Sequence, residues 1–198
     1  MTRLLLLRHG ESTWNADGRW QGQADPPLSA RGERQAADAA ARVGPIDAVW
    51  SSDLARARRT AEIMAEQLGI AVRTDVRLRE RHAGEWQGRT RAEIEAGWPG
   101  YLGAGTRPPG YEPDEALLER ALVALGEIVA AHRGQSVLLV VHGGVLRTVE
   151  RHLGDDAPGL LANLGGRWVL GVGEPVVWSL GERVLLVDPA RVTVPKQI

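Results

Sequence analysis

Leu4-Leu5-Leu6-Leu7-Arg8-His9-Gly10-Glu11-Ser12-Thr13-Trp14-Asn15 is the stretch from which the fold can be read. Four leucines in a row are too few for a helix of their own and suit a strand buried on both faces. They hand over at once to a cation, an imidazole, a glycine and a carboxylate. In an open α/β sheet, ligands bind outside the carboxyl ends of the strands. This strand therefore delivers Arg8-His9-Gly10 to the edge where a site forms. A second wholly apolar run, Ser136-Val137-Leu138-Leu139-Val140-Val141, also ends in His-Gly, as His142-Gly143-Gly144. If the two strands are parallel neighbours, both imidazoles reach one edge of the sheet.

The remaining chain alternates strands and helices. Residues 16–27 read as a loop rich in Gly, Asp, Gln and Pro. Ser29 caps an alanine-rich helix over 30–43, broken before Pro45. Ile46–Trp50 reads as a strand, and Leu54–Leu68 as an Arg-rich helix closed by Gly69. Ala71–Thr74 is a short edge strand. Residues 77–112 are irregular, with a short helix over 90–97, and form an insertion, or lid, over the sheet. Pro113–Arg133 is amphipathic, and a further helix runs from Gly144 to about Leu153. Trp168–Val172, Val176–Leu180 and Val184–Val187 read as three short antiparallel strands separated by Gly-containing turns. The alternation predicts a three-layer α/β/α sandwich, its central sheet mostly parallel with a short antiparallel edge. With 198 residues, the whole of 1–198 is expected to form one domain. The antiparallel edge at 176–187 leaves room for a homodimer by strand pairing.

Composition narrows the function. A net charge of −1 argues against nucleic-acid or membrane-surface partners held by bulk electrostatics. Without cysteine there is neither a disulfide framework nor a thiolate metal site. The leucine run is too short for a signal peptide or a span, so a cytoplasmic location is expected. Nearly all the positive charge is Arg, Lys196 being the only lysine, and Arg binds phosphate bidentately.

Arg8, His9 and His142, with an Arg from the helix after the second strand (Arg56 or Arg58) and helix N-termini, would make a pocket for a phosphoryl group. A neutral imidazole can attack phosphorus and split one hard displacement into two. Arg neighbours depress its pKa and stabilise charge on the transferring group. Glu80, in the insertion, is the best candidate to give and take a proton at the leaving group. His82, His132 and His152 read as solvated, and Arg59, Arg77, Arg79 and Arg81 as surface or ion-pair residues. A metal between His9 and His142 is disfavoured by the Arg8 charge beside it.

Four motifs in order resemble those of the histidine phosphatase superfamily, the phosphoglycerate-mutase-like group. They are Arg8-His9-Gly10-Glu11-Ser12-Thr13-Trp14-Asn15, Ser52-Asp53-Leu54-Ala55-Arg56-Ala57, Leu78-Arg79-Glu80-Arg81-His82-Ala83-Gly84 and Val141-His142-Gly143-Gly144. The resemblance implies His9 as the phosphorylated nucleophile and Glu80 as acid, then base. It picks Arg56 over Arg58, and joins Arg8, Arg56 and His142 in the phosphate pocket with Asn15 and the Gly143 amide. It implies neither cofactor nor metal. Arg19-Trp20-Gln21-Gly22-Gln23 and Gly84-Glu85-Trp86-Gln87-Gly88-Arg89-Thr90 resemble the phosphatase branch acting on small metabolites, with Gln21 and Gly22 at the substrate. Trp20, Trp86 and Trp98 are candidate walls of the leaving-group pocket. The mutases of the group carry Tyr where this chain has Ala83, a basic residue that Arg91 can replace, and an Arg-Arg pair absent between Trp98 and Tyr111. Those departures favour a phosphatase of sugar- or glycerate-type phosphomonoesters. The alternatives are a phosphoglycerate mutase or a non-catalytic binder of phosphorylated ligands.

Overall fold

The two apolar runs do lie side by side. In the computed structural model, which describes residues 1–155 and 161–187, β1 (Thr2–Arg8) is followed by a one-turn helix α1 (Thr13–Ala16), α2 (Ala30–Ala40), β2 (Ala48–Ser51), α3 (Ala55–Leu68) and β3 (Val72–Thr74). Then come 3-10 turns at Val76–Leu78 and Gly84–Trp86, α4 (Arg91–Gly97), α5 (Tyr101–Ala104) and α6 (Asp114–Ala131). The chain continues with β4 (Ser136–Val141), α7 (Gly143–His152), β5 (Gly165–Val172) and β6 (Val177–Leu185). The six strands form one sheet in the order β3-β2-β4-β1-β5-β6. β1 is central and parallel to β4, with Arg8 opposite Val141. The β4–β2 and β2–β3 pairings are also parallel, whereas β5 and β6 add an antiparallel edge.

Strand periodicity divides the core into two. Leu4, Leu6, Val137, Leu139 and Val141 face α6 and α7, packing on Leu117, Leu125, Ile128 and Leu146. Leu5, Leu7, Leu138 and Val140 face the other way, onto Ala39 of α2 and Ala57, Ala61 and Met64 of α3. A strand covered on both sides by helices reads as an unbroken apolar run, and this is why the leucines do not alternate with polar residues. The result is the expected three layers.

The structure departs from the sequence reading in several places. The α2 helix stops at Ala40 rather than at 43. The two strands expected over Val176–Leu180 and Val184–Val187 are one, β6, because Gly181 does not turn the chain. Between Arg167↔Arg183 and Val169↔Leu180 one residue of β5, Trp168, opposes two of β6, Gly181 and Glu182, a bulge that takes up the extra residue. A Cβ at 181 would stand 2.9 Å from the Cβ of Trp168. His132 is buried, not solvated: its Nε2 accepts the Trp50 indole N–H at 3.0 Å, and its Nδ1 lies 2.8 Å from Gln135 Oε1. Among the described residues no helix is long and apolar enough to cross a membrane.

Candidate active site

The carboxyl ends of β1 and β4 bring His9 and His142 together, ring centroids 5.2 Å apart and edge to face. The extended backbone continues one residue beyond β1, with the His9 amide donating to the Val141 carbonyl at 3.1 Å. The His9 Nδ1 lies 2.6 Å from the Gly10 carbonyl oxygen. A carbonyl can only accept, so Nδ1 carries the proton and the lone pair is left on Nε2. His9 is buried, and burial first, then the charges of Arg56 and Arg8, hold its pKa well below 6.5. His142 is fully buried behind it and shifted the same way, by burial and then Arg56. Neither ring nitrogen of His142 has a hydrogen-bond partner among the described residues.

His9 opens onto a cavity of ≈ 160 Å³ with Arg8, Gln21, Gly22, Arg56, Glu80 and Gly143 in its wall. Arg56, in the first turn of α3, is wholly buried and donates to the carbonyls of Ala24 and Gly22, each at 2.8 Å. Arg8 donates to the carbonyl of Leu161. Neither Nε finds a partner among the described residues. Burial, with Arg147 next, pushes the Arg8 pKa down to about 9, and burial pushes that of Arg56 down to about 10. Two desolvated guanidinium groups with spare donors can hold a dianion. Arg58 is exposed beside Glu62, away from the cavity that Arg56 lines.

Glu80 reaches the cavity from the insertion. Its Oε2 accepts the Gly144 amide at 2.9 Å, and its Oε1 accepts the Arg81 amide at 2.7 Å. The first turn of α7 thus holds the Glu80 carboxyl, where the sequence pointed to a bound anion. Gly144 permits this approach, because a Cβ there would collide with Glu80 Oε1. Gly22, at φ +54, comes close to Ala83 and Gln87 in the same way.

Other expected residues are placed differently. Asn15 is buried and does not reach the cavity wall: its Oδ1 accepts the Ser12 amide in the cap of α1, and Asn163 lies 3.4 Å away. Gln21 is on the wall, held by the Ser12 hydroxyl at 2.6 Å. Trp20 and Trp86 line the cavity, but Trp98 does not and instead lies under Arg89. Arg91 is exposed on α4, away from the cavity, so it does not replace the mutase cation. Arg77 and Arg79 are ion-paired with Asp75 and Asp53. Arg81, read like them as a surface or ion-pair residue, is paired with Asp114 and also lies on the cavity wall, largely buried.

Three contributors escaped the sequence reading. Arg147, one turn into α7, lines the cavity with Nη1 unpartnered among the described residues. Its position five residues after His142, on a helix starting at the sheet edge, was the available signal. Arg107 stacks on Trp86 and Tyr111 at 5.7 and 5.3 Å. Asn163, fully buried, donates to the His9 carbonyl at 2.9 Å; no pattern around it marks it.

A profile of the histidine phosphatase superfamily (branch 1) matches residues 4–165. Over 151 residues the chain is 44% identical to a probable phosphoglycerate mutase of Klebsiella pneumoniae, covering 72% of this chain and 70% of that protein. A mycobacterial glucosyl-3-phosphoglycerate phosphatase solved in complex with VO3 superposes with a TM-score of 0.83 at 34% identity, over 91% of this chain and 97% of that one. Bacillus stearothermophilus YhfR gives a TM-score of 0.84 at 31% identity, covering 95% and 100%. With the paired histidines and buried arginines in place, these matches make the chain an enzyme of the histidine phosphatase superfamily, branch 1.

Proposed function

We propose that this enzyme hydrolyses small phosphomonoesters of the sugar- or glycerate-phosphate type without a metal, through a phosphohistidine on His9. The observation that carries the reading is the unprotonated His9 Nε2 beside Arg8 and Arg56, with the Glu80 carboxyl across the same cavity. The phosphoryl oxygens are held by the Arg8 and Arg56 guanidinium groups. The His9 Nε2 attacks phosphorus, the bond to the ester oxygen breaks, and Glu80 gives that oxygen its proton. Water then attacks the phosphohistidine, Glu80 takes its proton back, and the N–P bond breaks to leave inorganic phosphate and neutral His9. His142, edge-on to His9, offers a donor to a phosphoryl oxygen carried on the neighbouring ring. Asn15 supports the Ser12 turn beside Gln21, and so acts on the pocket from behind its wall. Five guanidinium groups face the cavity (Arg8, Arg56, Arg81, Arg107 and Arg147), and they disfavour a cation there.

The solved phosphatases among the similar structures support hydrolysis, as does Ala83 at the position where the mutases carry Tyr. The curated relatives named as probable mutases favour a second reading, transfer between the 2- and 3-positions of phosphoglycerate. One experiment separates them. Phosphate release from a panel of phosphorylated sugars and glycerates is measured with chelator present, beside an assay for positional transfer. Release that survives the chelator, with acid-labile label trapped on the native protein and absent from His9→Ala, supports the phosphatase. Transfer with little release supports the mutase. Label retained by His9→Ala overturns the nucleophile.

A further inference from the structure

Glu80 lies outside regular secondary structure, yet its carboxyl is held at the amides of Gly144 and Arg81. A side chain from a different part of the chain binds the backbone around it. Arg120, in the second turn of α6, donates through Nη1 to the carbonyls of Arg77 and Arg79 at 2.6 and 2.7 Å, and through Nη2 to the carbonyl of Glu80 itself at 3.1 Å. Its Nε and Nη2 also grip both oxygens of Glu112, at 2.7 and 2.8 Å. All five N–H donors of the fork are therefore used, three of them on the backbone leading to and including the proton donor. Glu112 ties the far end of the insertion to the same point. Its amide donates to the His82 carbonyl at 2.9 Å, and its Oε2 accepts the His82 amide at 3.0 Å.

We propose that Arg120 is the positioning residue for proton transfer, its guanidinium fixing the 77–80 backbone so that the Glu80 carboxyl is held at the Gly144 amide. The inference rests on Glu80 being the proton donor. Arg120 is absent from the cavity wall and touches no reacting atom. A lysine cannot substitute, because one ammonium has three donors and no planar fork.

The test sets Arg120→Lys and Glu80→Gln beside the unaltered protein, on an alkyl phosphate and on p-nitrophenyl phosphate. The aryl burst amplitude counts working sites, and its rate reports phosphorylation of His9 with a leaving group that needs little protonation. Arg120→Lys is expected to lose on the order of 10²-fold in kcat per working site on the alkyl ester, with KM nearly unchanged and the aryl burst rate within about 3-fold. Equal losses on both esters, or no loss, would overturn the positioning role. If Glu80→Gln itself shows no dependence on leaving group, Glu80 is not the acid, and the inference falls with that assignment. Should Arg120→Lys fail to fold, Glu112→Gln loosens the same fork. It is expected to give a smaller split in the same direction, and an even loss there overturns the proposal as well.

Discussion

At the scale of single residues, the site depends on close approaches that only some side chains permit. The clearest is Gly144, where any Cβ meets the Glu80 carboxyl. Gly144→Ala is expected to displace Glu80 and cost about 10²-fold in kcat on alkyl phosphates, most of the loss expected for Glu80→Gln. Steady-state kinetics on both variants would check this, and an unimpaired Gly144→Ala would show that the carboxyl works from another position. The buried imidazoles carry a pH signature. His9 and His142 have folded pKa values below their unfolded value of 6.5, burial being the largest cause. Below that value the unfolded chain binds protons that the folded chain does not, so stability falls as pH drops from 6.5. Each ring contributes about 1.4 kcal/mol per pH unit within the window. Urea midpoints measured between about pH 7 and 5 should fall for the native protein and fall less steeply for His142→Gln.

At the scale of elements, the β1–β5 pairing leaves no room for a side chain at Gly166. A Cβ at Gly166 would collide with the carbonyl oxygen of Leu6, a backbone atom in the central strand. Gly166→Ala is expected to destabilise the protein by about 1–3 kcal/mol, read as a lower urea midpoint with unchanged slope. The same residues show what a linear pattern conveys. Helix and strand positions were legible wherever an apolar run or a cap marked them, as with Leu4–Leu7 in β1 and Ser29 before α2. The β6 strand was not, because a glycine in a bulge and a glycine in a turn read alike until the partner strand is known.

At the scale of the molecule, segments far apart in the chain are tied together around the site. The loop after α1 is joined to the insertion by Trp20–Arg89 and Gly88–Trp20 backbone hydrogen bonds, each 2.8 Å, and by Arg19 on the Gly88 carbonyl at 2.7 Å. Burial of the Arg8 and Arg56 guanidinium groups favours binding of a dianion beside them. Inorganic phosphate at about 100 times its Kd should stabilise the fold by about 2.7 kcal/mol. The thermal shift on adding phosphate should vanish in Arg56→Gln, whatever that variant's own Tm; a retained shift would place the anion elsewhere.

The sequence by itself determined the layered α/β architecture and the meeting of His9 and His142 at one sheet edge, because two unbroken apolar runs each ending in His-Gly have one economical arrangement in a doubly covered sheet. It also separated Arg56 from Arg58 once the motif around them was recognised. Only the tertiary structure decided which residues hold those groups in place. Arg120 lies 40 positions from Glu80, and Asn163 lies 154 positions from His9. Neither sits in a local pattern, since a guanidinium that grips backbone carbonyls places no demand on the identity of the residues it grips. The chemistry was written in short motifs because its atoms need particular side chains. The positioning was not, because it acts through main-chain atoms that every residue shares.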